Sequence, residues 1–208
     1  MQGIIGRKVG MTRLFESESG KAVAVTVIQI ANNVVHQLKT KEKDGYAAVQ
    51  LGFDPLPEKK FNKPQLGHFK KLNSTPTRVV KEFKLDSADE KPAPGSTIGV
   101  EMLENAKTVD VIGISKGRGH AGTIKRWHFE RGRKSHGNTN IRERGSMGQN
   151  SYPARVWPGL HMDGHLGASQ VTTRNVPVAG IDKEAGLIFV NGAVPGPNKG
   201  IVFIRKKK

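Results

Sequence analysis

The chain has 208 residues, enough for one large domain or one domain with an appendage, and carries 34 Lys+Arg against 18 Asp+Glu, a formal net charge of +16. Cysteine is absent, which excludes a disulfide scaffold, a thiolate zinc site and a cysteine nucleophile. The start is too polar for a secretory leader, and the longest apolar run, Ala22 to Ala31, is half the ~20 residues that a membrane span needs, so a soluble, cytoplasmic protein is expected.

Gly3 to Phe15 (GIIGRKVGMTRLF) alternates weakly and is interrupted by Gly6 and Gly10, the pattern of a bent or bulged strand. Lys21 to Ile30 is rich in Val and Ile and predicts a buried strand. Asn32-Asn33 reads as a turn, with Val34 to Thr40 as the return strand of a hairpin. Lys43-Asp44-Gly45 is a further turn before a strand over Tyr46 to Phe53. Pro55, Pro57 and Pro64 then punctuate a Lys-rich piece in which a short helix starts at Pro64. Thr77 to Leu85 predicts a strand with Val79, Phe83 and Leu85 facing a core, and the acidic, Pro-rich Asp86 to Ser96 a surface loop. Thr97 to Met102 and Thr108 to Ser115 are read as strands, as are Gln170 to Val178, Leu187 to Val190 and Ile201 to Ile204 near the basic end Arg205-Lys206-Lys207-Lys208. Strands joined by short polar turns, without long helices between them, point to a mainly β fold: an antiparallel sheet or closed barrel.

The stretch from Lys116 to His165 differs in kind. It holds 10 Lys/Arg against 3 Asp/Glu, and between Glu130 and Arg155 its sizeable apolar side chains are Ile141, Met147 and Tyr152. Such a segment buries too little surface to offset an ordering entropy of ~1–2 kcal/mol per residue, so an outside partner is expected to shape it. The expected organisation is a β domain of residues 1–115 and 166–208, interrupted by an inserted finger at 116–165. Folded back on itself, each arm of ~20 residues reaches up to ~65 Å at ~3.3 Å per residue.

Gly117-Arg118-Gly119-His120-Ala121-Gly122 matches GxGxxG and follows a strand, with Glu143 downstream. A dinucleotide site is rejected, because TIKRWHFERGRKSH has no helical apolar stripe and no second strand precedes Glu143. No Lys-Ser/Thr follows Gly122, so a Walker loop fails as well. The glycines instead let backbone pass close to phosphates and sugars. Histidines at 120, 128, 136, 161 and 165 raise a metal hypothesis, but there is no HExxH and the surrounding cations oppose another. Neither a GxSxG elbow nor a carboxylate pair occurs where the basic segment could present a substrate, so no catalytic residue, cofactor or small-molecule substrate is assigned.

Trp127, Phe129, Tyr152 and Trp157 interleave with cations, and a one-sided charge favours nucleic acid. For Trp127 and Phe129, packing and binding are equally expected; Trp157, in a Gly/Pro setting, is placed to wedge against bases. No motif for regular major-groove reading occurs, and an irregular Gly/Arg/Trp loop suits folded RNA. The residues assigned to RNA contact are Lys116, Arg118, Lys125, Arg126, Arg131, Arg133, Lys134, His136, Arg142, Arg144, Arg155 and Trp157. An enzyme with this loop as lid and a general RNA chaperone are the rival readings.

The runs VDVIGISKGRGHAGTIKRWHF, SHG, GSMGQNSYPARVWPG and HMDGHLG, with the opening GIIGRKVGMTRLF and the later NGAVPGP, closely resemble the bacterial large-subunit ribosomal protein L3 family across essentially the whole chain. The resemblance implies a translation-protein-type β-barrel bearing a finger that penetrates large-subunit rRNA toward the peptidyl transferase centre. It also implies a role early in subunit assembly and neighbouring ribosomal proteins as partners. In some members a glutamine of the GSxGQ motif is methylated by a glutamine methyltransferase, and Gln149 occupies that position here.

Overall fold

Alternation along the first strand, β1 (Gly3–Phe15), sends neighbouring isoleucines to opposite faces, and each ends in a different core. The computed structural model describes residues 1–15, 20–85 and 92–206. The acidic opening of the loop expected from Asp86 and the last two lysines of the basic end lie outside the described residues. The chain divides into two units, Met1–Ser115 with Gln170–Lys208, and Lys116–Ser169.

In the larger unit β1 is followed by β2 (Ala22–Gln29), β3 (Asn33–Lys39), a single helical turn α1 (Lys41–Asp44) and β4 (Ala48–Pro55). Gly45 closes α1 in the left-handed conformation, its N–H bonded to the Lys41 carbonyl. Helix α2 (Lys63–Lys71) carries Pro64 in its first turn, and the side-chain oxygen of Gln65 accepts from the Asn62 backbone N–H at 3.2 Å. Next come β5 (Thr77–Lys84), β6 (Thr97–Ile98) and β7 (Thr108–Ile114). The smaller unit contains β8 (His120–Ala121), α3 (Thr123–Trp127) and β9 (Gly164–His165), after which the larger unit resumes with β10 (Gln170–Asp182), β11 (Leu187–Asn191) and β12 (Ile201–Lys206).

Among the described residues, six strands close into an antiparallel barrel in the order β1-β12-β7-β10-β11-β2, with β2 returning to β1. Ile4 sits opposite Ile204, Ile204 opposite Val111, and Ile28 opposite Ile188; all are fully buried and form the barrel core with Val109, Val190 and Val202. A register shift between Lys8 and Gly10 marks the bulge foreseen in β1. A separate sheet, β5-β4-β3-β6, packs Val35, Val49, Leu51, Phe53 and Phe83 around Ile5. Strand β5 is one of its two edges, β6 the other, and carries Arg78, Lys81 and Lys84. Val79 and Leu85 pack against this second core, and Phe83 lies within it, as the alternation of that stretch requires. The Gly/Pro segment after β11 is tied down: buried Lys8 donates from Nζ to the carbonyls of Val194 (3.0 Å) and Gly196 (3.3 Å). No helix among the described residues is long and apolar enough to cross a membrane.

Two strand assignments from sequence are corrected. β2 and β3 are not a hairpin: β2 pairs with β1 and β11, whereas β3 pairs with β4 and β6. The reason is Asn33, which is fully buried instead of sitting in an exposed turn. Its side-chain oxygen accepts from the Ile5 N–H (3.2 Å), while its amide donates to the carbonyls of Ile5 (3.0 Å) and Ala31 (2.9 Å). The chain therefore leaves one sheet and enters the other there. The strand expected over Thr97 to Met102 ends at Ile98, and Val100–Leu103 forms a turn of 3-10 helix. That turn puts Val100 and Leu103, three residues apart, into the same barrel core, which a strand's twofold alternation does not do.

Asn33→Ala leaves the Ile5 N–H and C=O buried and unpaired, so denaturant unfolding should show a loss of ~1–3 kcal/mol for each group stranded. His36, 2% exposed, shares a 2.8 Å hydrogen bond with Thr77 Oγ1, and its other ring nitrogen is buried without a partner. Burial, followed by the nearby His68 imidazole, pushes its pKa below the ordinary 6.5. Above that value folded and unfolded forms are both neutral; below it the unfolded chain takes the proton first, so stability falls with falling pH. Unfolding measured from pH 7.5 down to 5 is expected to show this loss, and His36→Gln to remove that part of the slope.

Candidate nucleic-acid interface

The unit Lys116–Ser169 begins and ends in a short ladder built from glycine-rich sequence. The Arg118 N–H donates to the Leu166 carbonyl at 2.8 Å, and the Leu166 N–H to the Gly119 carbonyl at 2.9 Å. His120 then faces His165, and Ala121 faces Gly164. Gly167 makes this register possible: its φ of +77° suits glycine, and a Cβ there would overlap the Lys116 carbonyl oxygen.

Above the ladder, Ala121 and Thr123 are buried, and α3 turns the chain until His128, at φ +61°, stops it. Trp127 stacks on His161 with ring centroids 3.9 Å apart and planes 10° from parallel. Its indole N–H donates to the Met162 carbonyl (2.8 Å), which also accepts from Arg126 Nη1 (2.8 Å). The Arg126 guanidinium lies 5.1 Å from the Trp127 ring centroid, within cation–π range. Trp127, poised between packing and binding on sequence grounds, therefore packs, yet remains 37% exposed. His120 Nε2 meets Asp163 Oδ2 at 3.1 Å. Among the described residues no group of three His, Cys, Asp or Glu side chains is arranged to hold a metal ion.

From Phe129 to Gly159 the chain runs through turns and extended backbone without regular elements. One constriction is defined. The Gly132 N–H donates to the Ile141 carbonyl (3.0 Å), Asn138 Nδ2 to the Arg133 carbonyl (2.7 Å), and a Cβ at residue 132 would overlap the Asn140 carbonyl oxygen. Of the side chains assigned to RNA contact, Lys116, Arg118, Lys125, Arg131, Arg133, Lys134, His136, Arg142, Arg155 and Trp157 are exposed, and Arg126 and Arg144 are half-buried. Trp157 is 51% exposed and carries the Arg155 guanidinium 4.8 Å from its ring centroid. Gln149 is exposed, just after a small turn in which Ser146 Oγ donates to the Gly148 carbonyl.

The electrostatics are one-sided. Among the described residues, no Lys or Arg of this unit has a carboxylate partner, and its ion pair is the one between His120 and Asp163. A row of cations that is exposed and unneutralised from within gains most from phosphate. The Met162 carbonyl, which gathers Arg126 and Trp127, and the Asn138–Asn140 constriction were not among the residues assigned from sequence. A backbone acceptor leaves no residue-type signature, although a tryptophan beside an arginine in a wet segment hints that its N–H needs one.

Known proteins resemble the chain over its full length. Residues 79–186 match the family profile described as Ribosomal protein L3. The chain is 50% identical over 208 residues to the large ribosomal subunit protein uL3 of Thermotoga petrophila, covering 100% of this chain and 98% of that one. It is 47% identical over 205 residues to the uL3 protein of Fervidobacterium nodosum, covering 99% and 98%. With the uL3 protein of Alkaliphilus metalliredigens the identity is 45% over 205 residues, covering 99% and 97%.

Gly167→Ala is expected to break the ladder. Hydrogen exchange should show lost protection at the Arg118 and Leu166 amides, while barrel amides such as Val111 and Ile204 keep theirs.

Proposed function

This chain belongs to the ribosomal protein L3 family, structural proteins of the large ribosomal subunit and not enzymes, and on that premise we propose that it binds large-subunit rRNA directly through the insert 116–165. The barrel of residues 1–115 and 166–208 is the anchor in this reading. Lys116, Arg118, Lys125, Arg126, Arg131, Arg133, Lys134, His136, Arg142, Arg144 and Arg155 neutralise phosphates, and Trp157 stacks on or wedges against a base. The insert reaches toward the peptidyl transferase centre, the chain acts early in subunit assembly among other ribosomal proteins, and Gln149 is the position open to a glutamine methyltransferase.

One observation carries the proposal: the insert's Lys and Arg side chains lack carboxylate partners among the described residues. Exposed like charges held along one stretch repel one another, and a polyanion removes that repulsion while releasing its own counterions. The glycines add close approach of backbone N–H groups to phosphate. Single-stranded or distorted RNA, with unstacked bases and ribose hydroxyls, accommodates the irregular path between Phe129 and Gly159 better than a regular duplex does.

The test compares the full chain with a variant lacking Gly132 to Ala154, each titrated against large-subunit rRNA. With six to ten phosphates neutralised, affinity of the full chain should fall ~10³–10⁵-fold between 50 and 200 mM salt. The shortened variant should unfold cooperatively like its parent yet bind more weakly and with a shallower salt slope. Salt-insensitive binding sinks the proposal, and equal affinity for unrelated RNAs favours a general chaperone instead.

A further inference from the structure

A second place on the molecule combines aromatic rings with an excess of cations, and it lies wholly within the larger unit. Between α2 and the start of β5 is an open pocket of about 470 Å³, lined by Phe61, Pro64, His68, Phe69, Arg78 and Val80 among others. That volume lies within the range of ligand pockets, ~300–1,000 Å³. Phe69 is buried and held edge-to-face by three rings: His36 at 5.3 Å, Phe61 at 5.7 Å and His68 at 5.6 Å. Its role in packing is thus accounted for. Phe61 is only half-buried and His68 is exposed, and packing does not account for the pocket they border.

The charge around this pocket is mainly positive. From Glu58 to Arg78 the chain carries Lys59, Lys60, Lys63, Lys70, Lys71 and Arg78 against a single acid, Glu58. The five lysines are exposed, and among the described residues none has a carboxylate partner. Arg78 stands 3.7 Å from Asp54, which is already engaged at 2.8 Å by Arg7, so its guanidinium keeps donors to spare; its side chain is 65% exposed. Asp54 itself is at φ +64°.

We propose that this pocket is a second RNA-contact site, taking one unpaired nucleobase against the Phe61 and His68 rings while Arg78 and the adjoining lysines meet the flanking phosphates. An acidic protein segment would satisfy the lysines but has no need of the half-buried Phe61 ring and the exposed His68 ring. A base uses both, because every base offers a π-face and each nucleotide brings a phosphate. The site rests on the rRNA reading of the chain, and it assigns RNA contact to a region outside the basic insert.

The experiment uses the full chain and large-subunit rRNA, with three variants at one position and one at another. Ultraviolet crosslinking followed by peptide mapping should place a nucleotide on the peptide that contains Phe61 or His68. Phe61→Ala should weaken binding ~5–100-fold with the salt slope unchanged, as expected for loss of one stacked base. Arg78→Ala should lower that slope by about one. Phe61→Tyr, which keeps the ring, should bind like the parent, and Phe61→Leu, which keeps only apolar bulk, like the alanine variant. Equal binding by the Tyr and Leu variants overturns the proposal even if Phe61→Ala perturbs folding. So does an affinity of Phe61→Ala within about twofold of the parent, or a crosslink from this pocket to a protein neighbour in assembled subunits. A parent chain without salt-dependent binding would instead defeat the reading of the insert, so the two failures are distinguishable.

Discussion

The larger unit depends on one strand serving two cores. Ile4 and Ile5 are adjacent, fully buried and opposed across the pleat of β1, one inside the barrel and the other inside the four-stranded sheet. Asn33 fixes that arrangement by bonding both the N–H and the C=O of Ile5. A backbone that would otherwise lose its ladder partner at the join between sheets is satisfied by a single amide. Had Asn33 been apolar, the strand could still alternate, but the buried N–H and C=O of Ile5 would lack partners.

The smaller unit is built on the opposite principle. Its order near the ends comes from backbone ladders, a ring stack and a shared carbonyl, none of which encloses a core comparable to the barrel's. Among the described residues its Lys and Arg side chains have no carboxylate partner, so negative charge arriving from outside lowers its Coulomb energy. Membership of the ribosomal protein L3 family gives this imbalance a physical setting. The relatives that establish this membership are proteins of the large ribosomal subunit.

Much of this was legible in the residues. Runs such as KAVAVTVIQI and TVDVIGIS announce strands because Val and Ile fit a pleated, buried surface, and Gly10 flags the bulge that appears beside it. The excess of Arg and Lys between Lys116 and His165 needs only counting. Other features were hidden by their physics. Asn32-Asn33 has the composition of a turn, since bonding between a side chain and a backbone 28 residues away leaves no local trace. Val100 and Leu103 sit in a stretch with strand-forming residues, and only their common destination in the barrel reveals a helical turn. The Trp127–His161 stack joins residues 34 positions apart in a segment without periodicity, so no pattern along the chain predicts it.

The barrel closes on itself, whereas the neighbouring sheet ends in β5 and β6, and the far side of β5 is met at its end by Gln2, whose N–H donates to the Lys84 carbonyl at 3.0 Å. Unpaired strand flanks recruit other chains, and positive charge on such a strand discourages that recruitment. Arg78, Lys81 and Lys84 put positive charge on β5, which disfavours its pairing with the same strand of a second copy.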